Sequence, residues 1–275
     1  MREKSASPDF AVFKELKYFL FTKKKKYDTI KAITEKGRQG MRIDKMISDL
    51  GVASRRSAAA SAARGGVLLN GVPVRDLSRH IDPTVDRVTY LGEELVYHRF
   101  VYYMLNKPAG YVSATEDRRY PCVTELLPER IRHMDLFPVG RLDKDTLGLM
   151  ILTNDGALAH RLLTPRRHVE KEYAFTVDCP LPRGAEERFA AGLTIDGGEV
   201  CKSARLLPSD DRLSGHIVLT EGKYHQIKRM TEAVGCRVTS LERVRFADIP
   251  LDPSLARGEF RPLTEEEIAG LRAAE

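Results

Sequence analysis

A chain of 275 residues, 42% hydrophobic and 31% charged, is long enough to bury a full core and to hold two domains. No run approaches a membrane span, the four cysteines (Cys122, Cys179, Cys201, Cys236) form no C-x-x-C pair, and no His/Cys cluster has metal-ligand spacing. The net charge of +6 sits in residues 1–40, which carry 11 Lys or Arg against 5 Asp or Glu, so a nucleic-acid surface on the rest must be a local pattern.

Residues 1–40 read as a flexible basic extension. Phe10, Phe13, Leu16 and Leu20 are spaced like one face of a short helix, and the lysine run 23–26 follows. Met41 opens a convincing domain and is a candidate initiator. An amphipathic helix runs from Arg42 towards Gly51. Ser54 offers a hydroxyl N-cap to a second helix, alanine-filled to Ala63 and stopped by Gly65 and Gly66. A strand at 67–69 meets the hairpin dipeptide Asn70-Gly71 before 72–74. Arg42, Lys45, Arg55, Arg56 and Arg64 outnumber two acids in this stretch and can line one edge of the helices. That edge is either a solvated face or a footprint for a phosphate backbone. Residues 76–100 connect, with a small strand at 87–90.

The second half reads as strand-rich. A strand at 101–105 is turned by Pro108 and Gly110, a polar loop spans 113–121, and a short helix follows at 123–127. The loop at 138–146 leads into an apolar run, 147–152, which reads as a buried strand. Asn154-Asp155 caps a helix through Leu163. The pattern then predicts a strand at 171–177, a helix at 182–191, paired strands at 204–207 and 216–220, a helix at 225–234 closed by Gly235, and a long strand at 238–246. The cysteines are expected as buried, small apolar side chains in a reducing cytoplasm.

Asp143 stands out because it occupies a tight loop just before a buried strand. A carboxylate acting as nucleophile or base needs a fixed position and a cation to keep it ionised, and Lys228 can supply that charge. Tyr173 and Leu241 can sandwich a flat ring. Each has an ordinary alternative: a surface turn for Asp143, core packing for Tyr173 and Leu241, a solvated helix face for Lys228.

The combination is more specific than its parts. The chain shows Met41-Arg42-Ile43-Asp44-Lys45, Ser54-Arg55-Arg56 and Gly66-Val67-Leu68-Leu69-Asn70-Gly71, a series that resembles the S4 RNA-binding domain. Next come Asn106-Lys107-Pro108-x-Gly110, Gly140-Arg141-Leu142-Asp143-x-x-Thr146-x-Gly148-Leu149, Lys171-x-Tyr173 and Glu221-Gly222-Lys223-Tyr224-His225-Gln226-Ile227-Lys228-Arg229-Met230. In that order they resemble the bacterial pseudouridine synthases of the small-subunit (16S) ribosomal RNA type, from Met41 to about Ile268. The resemblance implies a small α/β S4 domain over 41–95 and, over 100–268, an α+β catalytic domain built on a mixed, mainly antiparallel sheet. It implies an isomerase that flips a defined uridine of 16S rRNA (the uridine-516 site) and converts it to pseudouridine.

By the same resemblance Asp143 is the catalytic aspartate, Tyr173 stacks on the flipped uracil and Leu241 lines its opposite side. Lys228 pairs with Asp143 where many relatives carry arginine, Arg141 fills the gap left in the RNA, and Asp145 is a surface or loop-capping residue. Arg42, Lys45, Ser54, Arg55, Arg56, Arg64 and Asn70 belong to the RNA-binding module. The expected partner is 16S rRNA, free or in an assembling small subunit. The enzyme is expected to be a cytoplasmic monomer with no cofactor, no metal and no membrane association. Three alternatives stay open: a synthase for a 23S site, a non-catalytic S4-bearing RNA-binding or ribosome-assembly factor, and a metal-dependent nuclease using Asp143 and Asp145.

Overall fold

A computed structural model describes residues 40–164 and 169–274. The basic extension, with its Phe10, Phe13, Leu16 and Leu20 stripe, lies outside the described residues except for Gly40. The chain divides into two compact units, one ending at His98 and one running Arg99–Glu275.

The first unit begins with β1 (Met41–Arg42), α1 (Ile43–Asp49) and α2 (Arg55–Ala63), followed by β2 (Val67–Leu69), β3 (Val72–Pro73), β4 (His80–Ile81), β5 (Val88–Tyr90) and β6 (Glu93–Leu95). The Ser54 hydroxyl accepts the Ser57 N–H at 3.1 Å and caps α2 as expected. Asn70 and Gly71 both take positive φ, which sets the twist of the β2–β3 hairpin. The strands align β3-β2-β5-β6, and Ile43, Met46 and Ile47 of α1 join Ala58 and Ala62 of α2, Val67 and Val88 in one apolar core.

The second unit contains β7 (Tyr102–Lys107), a 3-10 turn (Val123–Leu126), α3 (Glu129–Arg132), β8 (Phe137–Pro138), β9 (Leu147–Thr153), α4 (Gly156–Leu163) and β10 (Lys171–Val177). It continues with α5 (Ala185–Ala191), β11 (Thr194–Ile195), β12 (Glu199–Val200), β13 (Arg205–Pro208), β14 (Ser214–Leu219), α6 (Gln226–Ala233), β15 (Val238–Phe246), β16 (Ile249–Pro250), β17 (Phe260–Pro262) and α7 (Glu265–Ala273). Among the described residues, seven strands follow one another across a single sheet in the order β13-β14-β10-β15-β9-β7-β17, with β8 pairing β9 and β16 pairing β15 off that path. All neighbours are antiparallel except β15 and β9.

Strand alternation divides the core. Leu105, Met150, Phe175, Ile217 and Leu241 face Phe189 of α5 and Ile227 and Met230 of α6. On the other side, Met104, Leu149, Ile151 and Phe246 pack with Leu158 and Leu162 of α4 and Leu271 of α7. Asp155 caps α4 by accepting the Leu158 N–H at 3.0 Å, and it also takes the Tyr102 hydroxyl at 2.7 Å. The helix expected from residue 182 starts at Ala185, because Gly184 holds the left-handed φ of 84° that turns the chain into it. One cysteine also departs from expectation: Cys179 is only half-buried, whereas Cys122, Cys201 and Cys236 are buried.

Candidate active site

Sheet register places the site. Lys107 of β7 pairs with Gly148 of β9, Gly148 with Arg243 of β15, and Arg243 with Tyr173 of β10. These four residues form one row across the strands, and the 142–146 loop leads directly into the start of β9 beside that row. Gly148 is required there. It has a φ of 93°, and a Cβ on it would lie 2.3 Å from the Arg243 carbonyl oxygen.

The loop is gripped from beneath. Lys107 is fully buried, and its Nζ donates to the carbonyls of Asp143 (3.0 Å), Lys144 (3.2 Å), Thr146 (2.8 Å) and Pro108 (3.1 Å). The Ser113 hydroxyl donates to the Leu142 carbonyl at 2.7 Å and accepts the Leu142 N–H at 2.9 Å. The Gly110 N–H donates to the Lys144 carbonyl at 2.8 Å. Burial pushes the Lys107 ammonium down to about 8, although the Asp145 and Asp143 charges oppose that shift. The loop carbonyls at 142, 143, 144 and 146 thus have protein donors in place of water, and the Asp143 backbone is fixed.

Asp143 presents its carboxylate to α6. Lys228 Nζ lies 3.3 Å from Asp143 Oδ2, and His225 Nε2 lies 3.6 Å from Asp143 Oδ1. Lys228 is closer still to Asp145, at 2.7 and 2.9 Å. Lys228 thus stands between two carboxylates, and Asp145, expected as a surface or loop-capping residue, is largely exposed and also bound to that ammonium. Burial works against the Lys228 charge, but the hydrogen bond to Asp145 and the charges of both aspartates outweigh it and hold the ammonium above its ordinary range. Burial likewise opposes ionisation of Asp145, and Lys228 overcomes it and keeps that carboxyl below the usual carboxylate range.

Tyr173 and Leu241 occupy neighbouring strands on the same sheet face, Tyr173 opposite Arg243 and Leu241 opposite Phe175, and both belong to the core on the α5–α6 side. Arg141 is exposed on the loop. Three further side chains stand close to this site without a role in the sequence reading. Lys107 and His225 lie inside quoted motifs, so their signal is present there. The buried Arg243, whose Nε donates to the Leu149 carbonyl at 2.7 Å, gives no signal beyond its place in the last long strand. His225 also stacks on Tyr224 at 3.8 Å between ring centroids, and Tyr224 is 75% exposed.

In the first unit the basic residues differ in availability. Arg42 is held by Asp44 through two bonds, at 3.0 and 2.7 Å, and Lys45 by Asp49 at 3.0 and 2.8 Å. Arg55, Arg56 and Arg64 are exposed. The Ser54 hydroxyl is engaged as the α2 cap. Asn70 donates to Asp86 at 2.9 Å and accepts the Arg87 N–H at 2.9 Å, so its amide holds the hairpin.

Comparison with known proteins assigns families to both parts of the chain. A family model described as S4 domain matches residues 41–86, and one described as RNA pseudouridylate synthase matches residues 101–233. An uncharacterized RNA pseudouridine synthase of Bacillus subtilis is 45% identical over 83% of this chain and 97% of its own length. The ribosomal small subunit pseudouridine synthase A of Escherichia coli is 41% identical over 84% of this chain and 100% of its own. A solved pseudouridylate synthase structure superposes with a TM-score of 0.60 at 36% identity, covering 84% of this chain and 99% of that one.

Proposed function

The chain belongs to the RNA pseudouridylate synthases, and from that premise we propose that it isomerises one uridine of 16S ribosomal RNA, at the uridine-516 site, with Asp143 as the catalytic carboxylate. In that isomerisation the bond from C1′ to N1 of uracil breaks and C1′ rejoins the ring through C5. C5 loses a proton and N1 gains one, so no electrons enter or leave. The protein must extrude the base, hold a nucleophile or base beside it, and retain the freed ring.

Each requirement has a residue. Asp143 acts on the nucleotide with the Lys228 ammonium 3.3 Å from its carboxylate, and Lys228 also rests on Asp145. Tyr173 stacks on the uracil and Leu241 lines its other side. Arg141, exposed on the same loop, fills the space vacated in the RNA. In the S4 unit, Arg55, Arg56 and Arg64 meet phosphates directly, with Arg42 and Lys45 adding charge from their ion pairs. Ser54 and Asn70 act indirectly, by holding the start of α2 and the hairpin. The enzyme works as a monomer in the cytoplasm, on free RNA or on an assembling small subunit. Among the described residues no helix is long and apolar enough to cross a membrane.

The observation that carries the reading is the Asp143 carboxylate set against the Lys228 ammonium at 3.3 Å, on a loop whose backbone a buried lysine holds still. The test is reverse-transcription mapping of pseudouridine in 16S and 23S RNA after incubation with wild type and Asp143→Asn. One new 16S site, lost in the variant, is expected. A 23S site would change the substrate, and no site on free or partly assembled particles would overturn the reading.

A further inference from the structure

Beyond the active site, the two cysteines that face each other at the far end of the sheet stand in the geometry of an oxidisable pair. The β10–β15 ladder pairs Val177 with Val238. One residue further, the Asp178 N–H donates to the Arg237 carbonyl at 3.0 Å, and the Arg237 N–H donates to the Asp178 carboxylate at 2.7 Å. Just past these contacts, Cys179 and Cys236 stand in the adjoining turns with their two sulfur atoms 2.8 Å apart. The Asp178–Arg237 contacts hold the two turns together beside the pair. Cys236 is buried and Cys179 half-buried, so an oxidant reaches the pair through Cys179.

We propose that Cys179 and Cys236 are a modification site, a dithiol that closes to an intramolecular disulfide under two-electron oxidants of the peroxide class. With hydrogen peroxide, the Cys179 sulfur attacks one peroxide oxygen and becomes a sulfenic acid, releasing water. The Cys236 sulfur then displaces the hydroxyl from that sulfenic sulfur. An S–S bond forms, both thiol protons end in the two waters released, and the sulfurs are oxidised by the two electrons the peroxide takes up. The hydrogen bond to Cys236 pushes the Cys179 thiol up to about 11, so the reactive thiolate is scarce at neutral pH and closure is slow. Geometry governs where the equilibrium lies, and acidity governs how fast it is reached. The bond would tie the end of β10 to the turn between α6 and β15 and close a long loop.

The experiment takes the full-length reduced protein, exposes it to hydrogen peroxide, alkylates remaining thiols and maps peptides by mass spectrometry. The expected product is one crosslinked peptide joining Cys179 to Cys236, with Cys122 and Cys201 still alkylatable after unfolding. A rise in melting temperature of roughly 5–10 °C, reversed by dithiothreitol, should accompany it. Cys179→Ser, a change at a half-buried site, should melt with the reduced wild type and show neither crosslink nor shift. Accumulation of a sulfinic acid at Cys179 with Cys236 still alkylatable, or two unreacted thiols after prolonged exposure, would overturn the proposal.

Discussion

The Lys107 ammonium donates to the backbone carbonyl of Asp143 at 3.0 Å, from beneath the loop that carries the carboxylate. Lys107 ends one strand and Asp143 precedes another, and their contact converts a surface turn into a fixed platform. Lys107→Met leaves four carbonyls without this donor. The Asp143 and Lys144 carbonyls keep the Thr146 and Gly110 N–H donors. The Pro108 and Thr146 carbonyls lose the ammonium at a cost on the order of 1 kcal/mol or more each, so a destabilisation of ~2 kcal/mol or more is expected in urea unfolding. A fall of at least about tenfold in single-turnover rate should accompany it, as the loop loosens.

The same lysine gives a pH signature. Its folded value, about 8, lies below the ordinary 10.5, so the unfolded chain holds this proton more tightly. The Lys107 contribution to stability is therefore lowest and constant below pH 8 and rises as pH climbs towards 10.5. The wild-type stability curve should thus have the more positive slope between pH 8 and 10 when compared with Lys107→Met, by at most ~1.4 kcal/mol per pH unit. Equal slopes in urea titrations would show that the buried group is not ionised as described.

Asp145→Asn separates the two carboxylates. Lys228 loses its nearer partner and is left with Asp143, to which it then binds more tightly. The rate should drop roughly tenfold, the scale of one altered charge-assisted contact, with little change in KM. Because the Asp145 side chain is largely exposed, stability should move by less than about 1 kcal/mol. Asp143→Asn should remove activity altogether under the same assay.

Gly148→Ala is expected to be severe although it adds a single methyl. The Cβ would collide with the Arg243 carbonyl, and the φ of 93° is hostile to any L side chain. A destabilisation of more than ~3 kcal/mol is expected in thermal or urea unfolding, with β9 and β15 separating where they pair.

Replacing Arg55, Arg56 and Arg64 together by Ala should weaken binding to rRNA fragments and make its salt dependence shallower. The slope of log affinity against log salt should fall by about one for each phosphate that is no longer neutralised. Lys45→Ala should have a smaller effect, because Asp49 already compensates that charge.

Legibility in the sequence follows the range of the interactions. The limits of β10 and β15 are readable because one sheet face alternates apolar residues, and the caps Ser54 and Asp155 are readable because a helix start is a local event. Asp143 and Lys228 come together only through the order of several motifs. Lys107 looks like the end of a strand, since most of its acceptors arrive some 36 to 39 residues later along the chain. The Asp145 contact with Lys228 is hidden for a related reason: the two lie 83 residues apart, and nothing near Asp145 in sequence marks it as half of a bridge. Cys179 passes for a core thiol because the contact that marks it, with Cys236, joins residues 57 apart in the chain.

The row Lys107, Gly148, Arg243 and Tyr173 also has a temporal meaning. Three of its strands are in hand once residue 177 has been synthesised, yet the one that joins β9 to β10 comes last, at Val238–Phe246. A nascent or prematurely ended chain that stops before Val238 carries Asp143 and Tyr173 with nothing to align them. The order of synthesis thus leaves the Asp143 loop and the Tyr173 strand unjoined until β15 is made.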